Sequence, residues 1–326
     1  MGGNASCHEG ASFYRGGNGR GGSEPLKAVL PLTTMPGPTP PDVRAAYQAC
    51  RRLVRSHYEN FMVASVFTPS KLRPAMWALY AYARTVDDLG DEAEGDRLVL
   101  LDDFEADLRA CFAGKRETAL FAALGDAVDR LKLPLDPFLA LIDANRRDQD
   151  PTPFSDFGAI EAYCQGSANS VGRLVLRIFG YDDPALDHLS DCTTTALQLV
   201  NFYQDLRHDA ARGRLYLPLD ELRRFGVDRE DLQAAVMGEH LADLLSASYE
   251  RVRALFAEGQ ALEARVDGHL RRQLQLYRLG GSTILNALEA NLERRSLARP
   301  ALSAAAKLQL LGQVFLGTGG GRRHDA

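Results

Sequence analysis

Two acid-bearing segments hold the residues whose types and spacing could do chemistry. In the first, Tyr80, Arg84, Asp87 and Asp91 fall in one narrow stripe at about 100° per residue, with Asp88 at its border. The run before them, Ala75 to Ala83, carries no charge. A helix that is apolar nearly all round is a buried helix. In the second, Thr194, Gln198, Asn201, Asp205 and Asp209 follow one another at spacings of 4, 3, 4 and 4. Cys192, Ala196, Leu197, Leu199, Val200, Phe202, Tyr203 and Leu206 make the rest of that surface apolar. Both acid clusters lie in the C-terminal halves of their helices, where the macrodipole disfavours anions. Partly desolvated carboxylates at a carbonyl end need a cation, and Arg84 supplies one charge. All-oxygen ligands select a hard ion such as Mg²⁺ for the remainder.

Magnesium usually takes a few carboxylates together with substrate phosphates. Two such helix ends facing each other across an apolar cavity would hold a metal-bound diphosphate at the mouth and a hydrocarbon chain inside. A buried polar network satisfied within the protein is the alternative. Spacing alone does not decide. The chain has five D-x-x-x-D pairs, and Asp103/Asp107, Asp183/Asp187 and Asp187/Asp191 sit in polar or turn-like surroundings that read as solvated surface. Apolar context and the aligned Arg84, Gln198 and Asn201 single out the other two.

The elements that must position these residues are helices. After the start signal Pro40-Pro41-Asp42, Val43, Ala46, Tyr47, Cys50, Leu53 and Val54 recur at helical spacing. Similar patterns cover roughly 70–92, 97–113, 117–132, 135–148, 155–179, 185–210, 228–237, 241–267, 269–295 and 300–316. Strands with hairpin turns are not expected. The fold class is therefore all-α, one domain over 41–316 built round a central group of long helices. Residues 1–40 are rich in Gly, Ser and Pro and read as a disordered leader; 317–326 read as a flexible Gly-rich tail. The Gly17–Gly22 run fits G-x-G-x-x-G but has neither the strand nor the helix that a dinucleotide site needs. Met1-Gly2 with Ser6 fits the myristoylation pattern, but in a Gly-rich leader the match carries little weight.

Of 326 residues, 43 are acidic and 38 basic, a net charge of −5, which argues against a dedicated nucleic-acid binder. No apolar run is long enough for a transmembrane helix, and no signal-peptide core is expected at the N-terminus. Five widely spaced cysteines without C-x-x-C read as reduced thiols of a cytoplasmic protein. Cys164 and Cys192 read as small core residues.

At this point the chain resembles the head-to-head prenyl synthases, the squalene and phytoene synthase family, over about 45–310. Four blocks carry the resemblance: His57-Tyr58-Glu59-Asn60-Phe61 through Ser65; Leu72-Arg73 through Tyr80-Ala81-Tyr82-Ala83-Arg84-Thr85-Val86-Asp87-Asp88-Leu89-Gly90-Asp91-Glu92; Tyr163-Cys164-Gln165-Gly166-Ser167-Ala168-Asn169-Ser170-Val171-Gly172; and Gln198 through Asp205, with Asp209 and Gly213-Arg214-Leu215-Tyr216-Leu217-Pro218. His-Tyr-Glu-Asn-Phe and Asn-Phe-Tyr-Gln-Asp look like the hopanoid-pathway hydroxysqualene synthase. Other branches usually carry Ser-x-Ser-Phe in the first place and an Arg where this chain has Gln204.

The resemblance implies an isoprenoid-synthase-like helical bundle around a central cavity. It implies Mg²⁺, two or three ions, on Asp87, Asp88, Asp91, Asp205 and Asp209. It implies diphosphate contacts from Arg84, Asn201 and Gln198, and places Tyr163 and Phe61 near the diphosphate or the reacting carbons. His57, Glu59 and Asn60 are branch-specific positions, and Arg294, Arg295 or Arg299 would close over the diphosphate. Blander readings stand beside these: Arg84 paired only with Asp88, Tyr163 as a core tyrosine, His57 as a cap. The implied reaction converts presqualene diphosphate into hydroxysqualene by water capture, and NADPH is not expected. Condensation of two prenyl diphosphates, as in presqualene diphosphate, squalene or phytoene synthases, is the near alternative; an inactive relative serving as a scaffold is the distant one. A lipid substrate also implies peripheral membrane contact and dealings with other enzymes of the same pathway.

Overall fold

The computed structural model describes residues 42–56 and 67–316. The expected leader and tail, and the block from His57 to Ser65, lie outside the described residues. Among those described, every regular element is a helix.

The chain forms two compact units. The first takes in the N-terminal helix, Ser70–Thr152 and Ala162–Gly180. Helix α1 (Val43–Ser56) opens it, with Asp42 Oδ1 accepting from the Arg44 amide at 3.0 Å, as the start signal predicts. Helix α2 (Arg73–Asp91) carries the first acid stripe and buries 14 of its 19 residues. It packs against α1, α3 (Arg97–Phe112), α4 (Ala119–Leu131), α5 (Asp136–Arg147) and α7 (Ser170–Ile178). A helix ringed by five others has no solvent face to spare, which is why its sequence is apolar nearly all round. Tyr82 shows how that core is held. Its ring meets Phe138 edge-on at 5.0 Å and stacks on Phe104 at 5.6 Å, and its hydroxyl donates to the Phe138 carbonyl at 2.8 Å.

The second unit holds Phe67, Pro153–Glu161 and the chain from Tyr181 onward. Helix α6 (Phe157–Cys164) leads from one stretch to the next. Helix α8 (Pro184–Ala211) carries the second acid stripe. Asp183 caps it, accepting from the Ala185 amide at 2.8 Å, so one of the discounted aspartates is a structural cap. Helix α8 packs against α10 (Glu239–Gly259) and α11 (Gly268–Glu293), with α9 (Leu219–Phe225) on α10 and α12 (Ala304–Leu316) on α11. Tyr216 stacks face to face on Phe202 at 4.0 Å, which ties the chain after α8 back onto that helix.

Two helical expectations need correction, and one helix lies where none was expected. The segment 155–179 is not continuous: a π-helical turn, Gln165–Asn169, separates α6 from α7. The segment 228–237 shrinks to a single 3-10 turn, Asp231–Gln233. Helix α9 was not anticipated. It follows Pro218, carries Asp220 and Glu221 in its first turn, and ends at Gly226 with φ 68°, which are ordinary start and stop signals on an element too short for periodicity to reveal.

Candidate active site

In the first unit, Arg84, Asp88 and Asp91 are buried, and Asp87 is part-exposed. Asp88 and Asp91 sit in the last turn of α2, at its carbonyl end. Arg84 pairs with Asp88 and reaches Glu92 Oε1 at 3.1 Å, so its charge is taken up at that edge of the stripe. Asp87 faces Asp91 across one turn. Burial first, and then the negative charge of Asp91, push the Asp87 carboxyl from 3.8 up to about 8, against the opposing pull of Arg84. Burial likewise pushes the neighbouring Tyr80 hydroxyl up to about 12.

Sequence reasoning missed the wall that faces this stripe. Asn145 on α5 is buried, its side-chain amide favours the charged form of Asp87, and its Nδ2 donates to the Leu141 carbonyl at 3.1 Å. Gln149 Nε2 donates to the carbonyls of Gly90 and Asn145, each at 2.9 Å. Gly90 permits the approach: a Cβ there would lie 2.5 Å from Asn145 Oδ1. The signal was present, since Asn145 continues the core register of Phe138, Leu141 and Ile142. Tyr163 enters the same unit part-buried, its hydroxyl donating to Asp148 Oδ2 at 2.7 Å. The π-helical turn that follows lies against α5, where a Cβ on Gly166 would fall 2.6 Å from the Ala140 carbonyl oxygen. Such turns inside helices are frequent at functional sites.

In the second unit, Gln198, Asp205 and Asp209 are buried and Asn201 is part-buried. The Gln198 Oε1 has no hydrogen-bond partner among the described residues. Arg299 binds the Asp205 carboxylate with two N–H groups, the Nη2 at 3.2 Å from Oδ2. Next to it, Gln204 Nε2 donates to the Pro300 carbonyl at 2.5 Å. The segment after α11 is thus fastened over the second stripe. Of the three arginines raised by the resemblance, Arg299 is the one seen on an acid of the stripe. His57, Asn60 and Phe61 lie outside the described residues.

The donor chemistry fits magnesium. The ligating atoms on both stripes are oxygens, carboxylates on the first and carboxylates with the Gln198 and Asn201 amides on the second; two of the acids on each are buried, and the burial and crowding that lift the Asp87 carboxyl to about 8 are what a cation would offset. In the first unit Asp87, Asp88 and Asp91, and in the second Asp205 and Asp209, are the residues that would offer such an ion its ligands.

Comparison with known proteins gives consistent relatives. Residues 54–306 match the squalene/phytoene synthase family model. The solved structure of squalene synthase HpnC from Alicyclobacillus acidocaldarius is 45% identical, with a TM-score of 0.75 over 78% of this chain and 97% of that one. A dehydrosqualene synthase solved in complex with a ligand, at 23% identity and a TM-score of 0.77 over 85% and 98% of the two chains, shares the fold. Among curated proteins, the 15-cis-phytoene synthase of Synechocystis sp. is 28% identical over 290 residues, 82% of this chain and 85% of that protein. Phytoene synthase 3 of Zea mays is also 28% identical, over 305 residues, 89% of this chain and 71% of that protein.

Proposed function

The chain belongs to the squalene/phytoene synthase family, and from that premise we propose that it converts presqualene diphosphate to hydroxysqualene in a Mg²⁺-dependent reaction. It is an enzyme of head-to-head prenyl diphosphate chemistry with an all-helical isoprenoid-synthase fold. The observation that carries the diphosphate reading is the pair of buried helices, each with desolvated carboxylates toward its carbonyl end.

Magnesium, when bound, would neutralise the charge that develops on the leaving diphosphate. Asp87, Asp88, Asp91, Asp205 and Asp209 would hold it, with two or three ions in all. Arg84, Gln198 and Asn201 would orient the diphosphate, and Arg299 would leave Asp205 for it. Breaking the carbon–oxygen bond leaves a cyclopropylcarbinyl cation on the substrate. Water then forms the new carbon–oxygen bond and gives up a proton, so that substrate and water yield hydroxysqualene, diphosphate and H⁺. The protein must meanwhile keep bulk water from the cation.

The choice of branch rests on His57-Tyr58-Glu59-Asn60-Phe61 and on Gln204. A neutral amide at 204 bonds the Pro300 carbonyl, where an arginine would add a cation beside Asp205. The second reading, condensation of two prenyl diphosphates, draws on the curated phytoene synthases. Product identification separates the two. Purified protein is incubated with presqualene diphosphate or farnesyl diphosphate, with and without Mg²⁺ and NADPH. Hydroxysqualene from presqualene diphosphate, with Mg²⁺ and without NADPH, is the expected result. Turnover of farnesyl diphosphate as sole substrate would establish condensation instead. No helix among the described residues is long and apolar enough to cross a membrane, and we place the enzyme in the cytoplasm, touching lipid only peripherally.

A further inference from the structure

Near the other end of α8 stands a second group of ligating side chains. His188 and Cys192 are four residues apart and so share one face of that helix. Glu258, in the last turn of α10, comes against them. His188 Nε2 lies 2.8 Å from Glu258 Oε1 and 4.0 Å from Cys192 Sγ. All three donor atoms fall within 4.8 Å of one another. Tetrahedral zinc, with bonds of roughly 2.0–2.3 Å, sets such donors about 3.3–3.6 Å apart. Small side-chain rotations would therefore gather the three round one ion. Cys192 is buried while His188 and Glu258 are exposed, which gives a thiol floor and an open rim where water can complete the shell.

The backbone fixes this arrangement. A Cβ on Gly259 would meet the Thr193 amide nitrogen at 2.9 Å and the Leu189 carbonyl oxygen at 3.0 Å. Glycine alone lets α10 come this close to α8, so Glu258 is delivered to His188 and Cys192 by main-chain contact between the helices. We propose that His188, Cys192 and Glu258 bind a thiophilic divalent cation of the zinc class, which fastens the end of α10 to α8. Sulfur and imidazole select such an ion, whereas Mg²⁺ selects oxygen, so this site and the acid stripes hold chemically different cations. The site is independent of the substrate reading.

Cobalt(II) reports on it directly. The full-length protein, stripped of metal with a chelator, is titrated with Co²⁺ and followed by thiolate-to-cobalt absorption. One equivalent per chain should develop the band, and Zn²⁺ should bleach it. Cys192→Ser should abolish it. His188→Ala and Glu258→Gln, both at exposed positions where folding is not at stake, should each weaken binding about tenfold or more. Asp87→Ala and Asp205→Ala should leave the band intact, which keeps this test separate from that of the diphosphate site. No band in the wild type, or an equal band in Cys192→Ser or in His188→Ala, would overturn the proposal and leave His188 and Glu258 as a surface ion pair.

Discussion

Asp87 shows at the scale of one residue how burial becomes chemistry. Its carboxyl is raised from 3.8 to about 8, so in the metal-free protein it keeps a proton that the unfolded chain has released. A folded state that binds more protons loses stability as pH rises, and here the loss runs from about pH 4 to about pH 8. Denaturation in chelator at pH 5 and pH 8 should show that decline, and Asp87→Asn should flatten it. Magnesium bound there would have to displace the same proton, so its apparent affinity should climb between pH 6 and pH 8. Calorimetry that finds a flat affinity over that range would show that Asp87 is not a ligand. Arg299 makes a second case. It holds the Asp205 carboxylate where a metal would bind. Arg299→Ala should tighten Mg²⁺ binding to the substrate-free enzyme while lowering turnover, and an unchanged affinity would mean that arginine and metal do not compete.

At the scale of elements, glycines govern how closely the helices bearing these residues approach their neighbours. Gly90 lets Asn145 reach α2, and Gly166 lets the π-helical turn lie on the α5 backbone. Gly166→Ala presses a methyl against a main-chain oxygen and should cost about 1–3 kcal/mol in chemical denaturation. Gly90→Ala meets the end of a side chain that can turn aside. It should cost less stability but move Asn145 off Asp87, and so lower turnover more than it lowers the denaturation midpoint. Equal losses in both would refute that role for Asn145. The long helices were legible in the sequence because 3.6-residue periodicity accumulates over many turns. The acid stripes were legible because charge stands out on an apolar helix. Asn145 was written in the same periodicity, but its partner is 58 positions away in the chain and no local pattern names it. The π-helical turn escaped because Gln165–Asn169 keeps a helical composition while its hydrogen bonding shifts by one residue. Helix α9, only 7 residues long, had signals at its ends and too little between them.

For the whole molecule, composition excluded more than it assigned. A net charge of −5 spoke against nucleic acid and 45% hydrophobic residues spoke for a packed core, but neither pointed to a reaction. The resemblance over residues 45–310 is matched by the family model over 54–306. The proposed choice of water capture over the joining of two chains rests on a few positions, and His57, Glu59, Asn60 and Phe61 among them stand in the stretch outside the described residues. The stripes themselves are open to a direct test. Diphosphate release from presqualene diphosphate should be measured with saturating Mg²⁺ for the wild type, Asp87→Ala and Asp205→Ala, each checked for folding by circular dichroism. Both variants should fold and each should lose roughly 100-fold or more in rate; a folded variant that releases diphosphate within a few-fold of the wild-type rate would contradict the account.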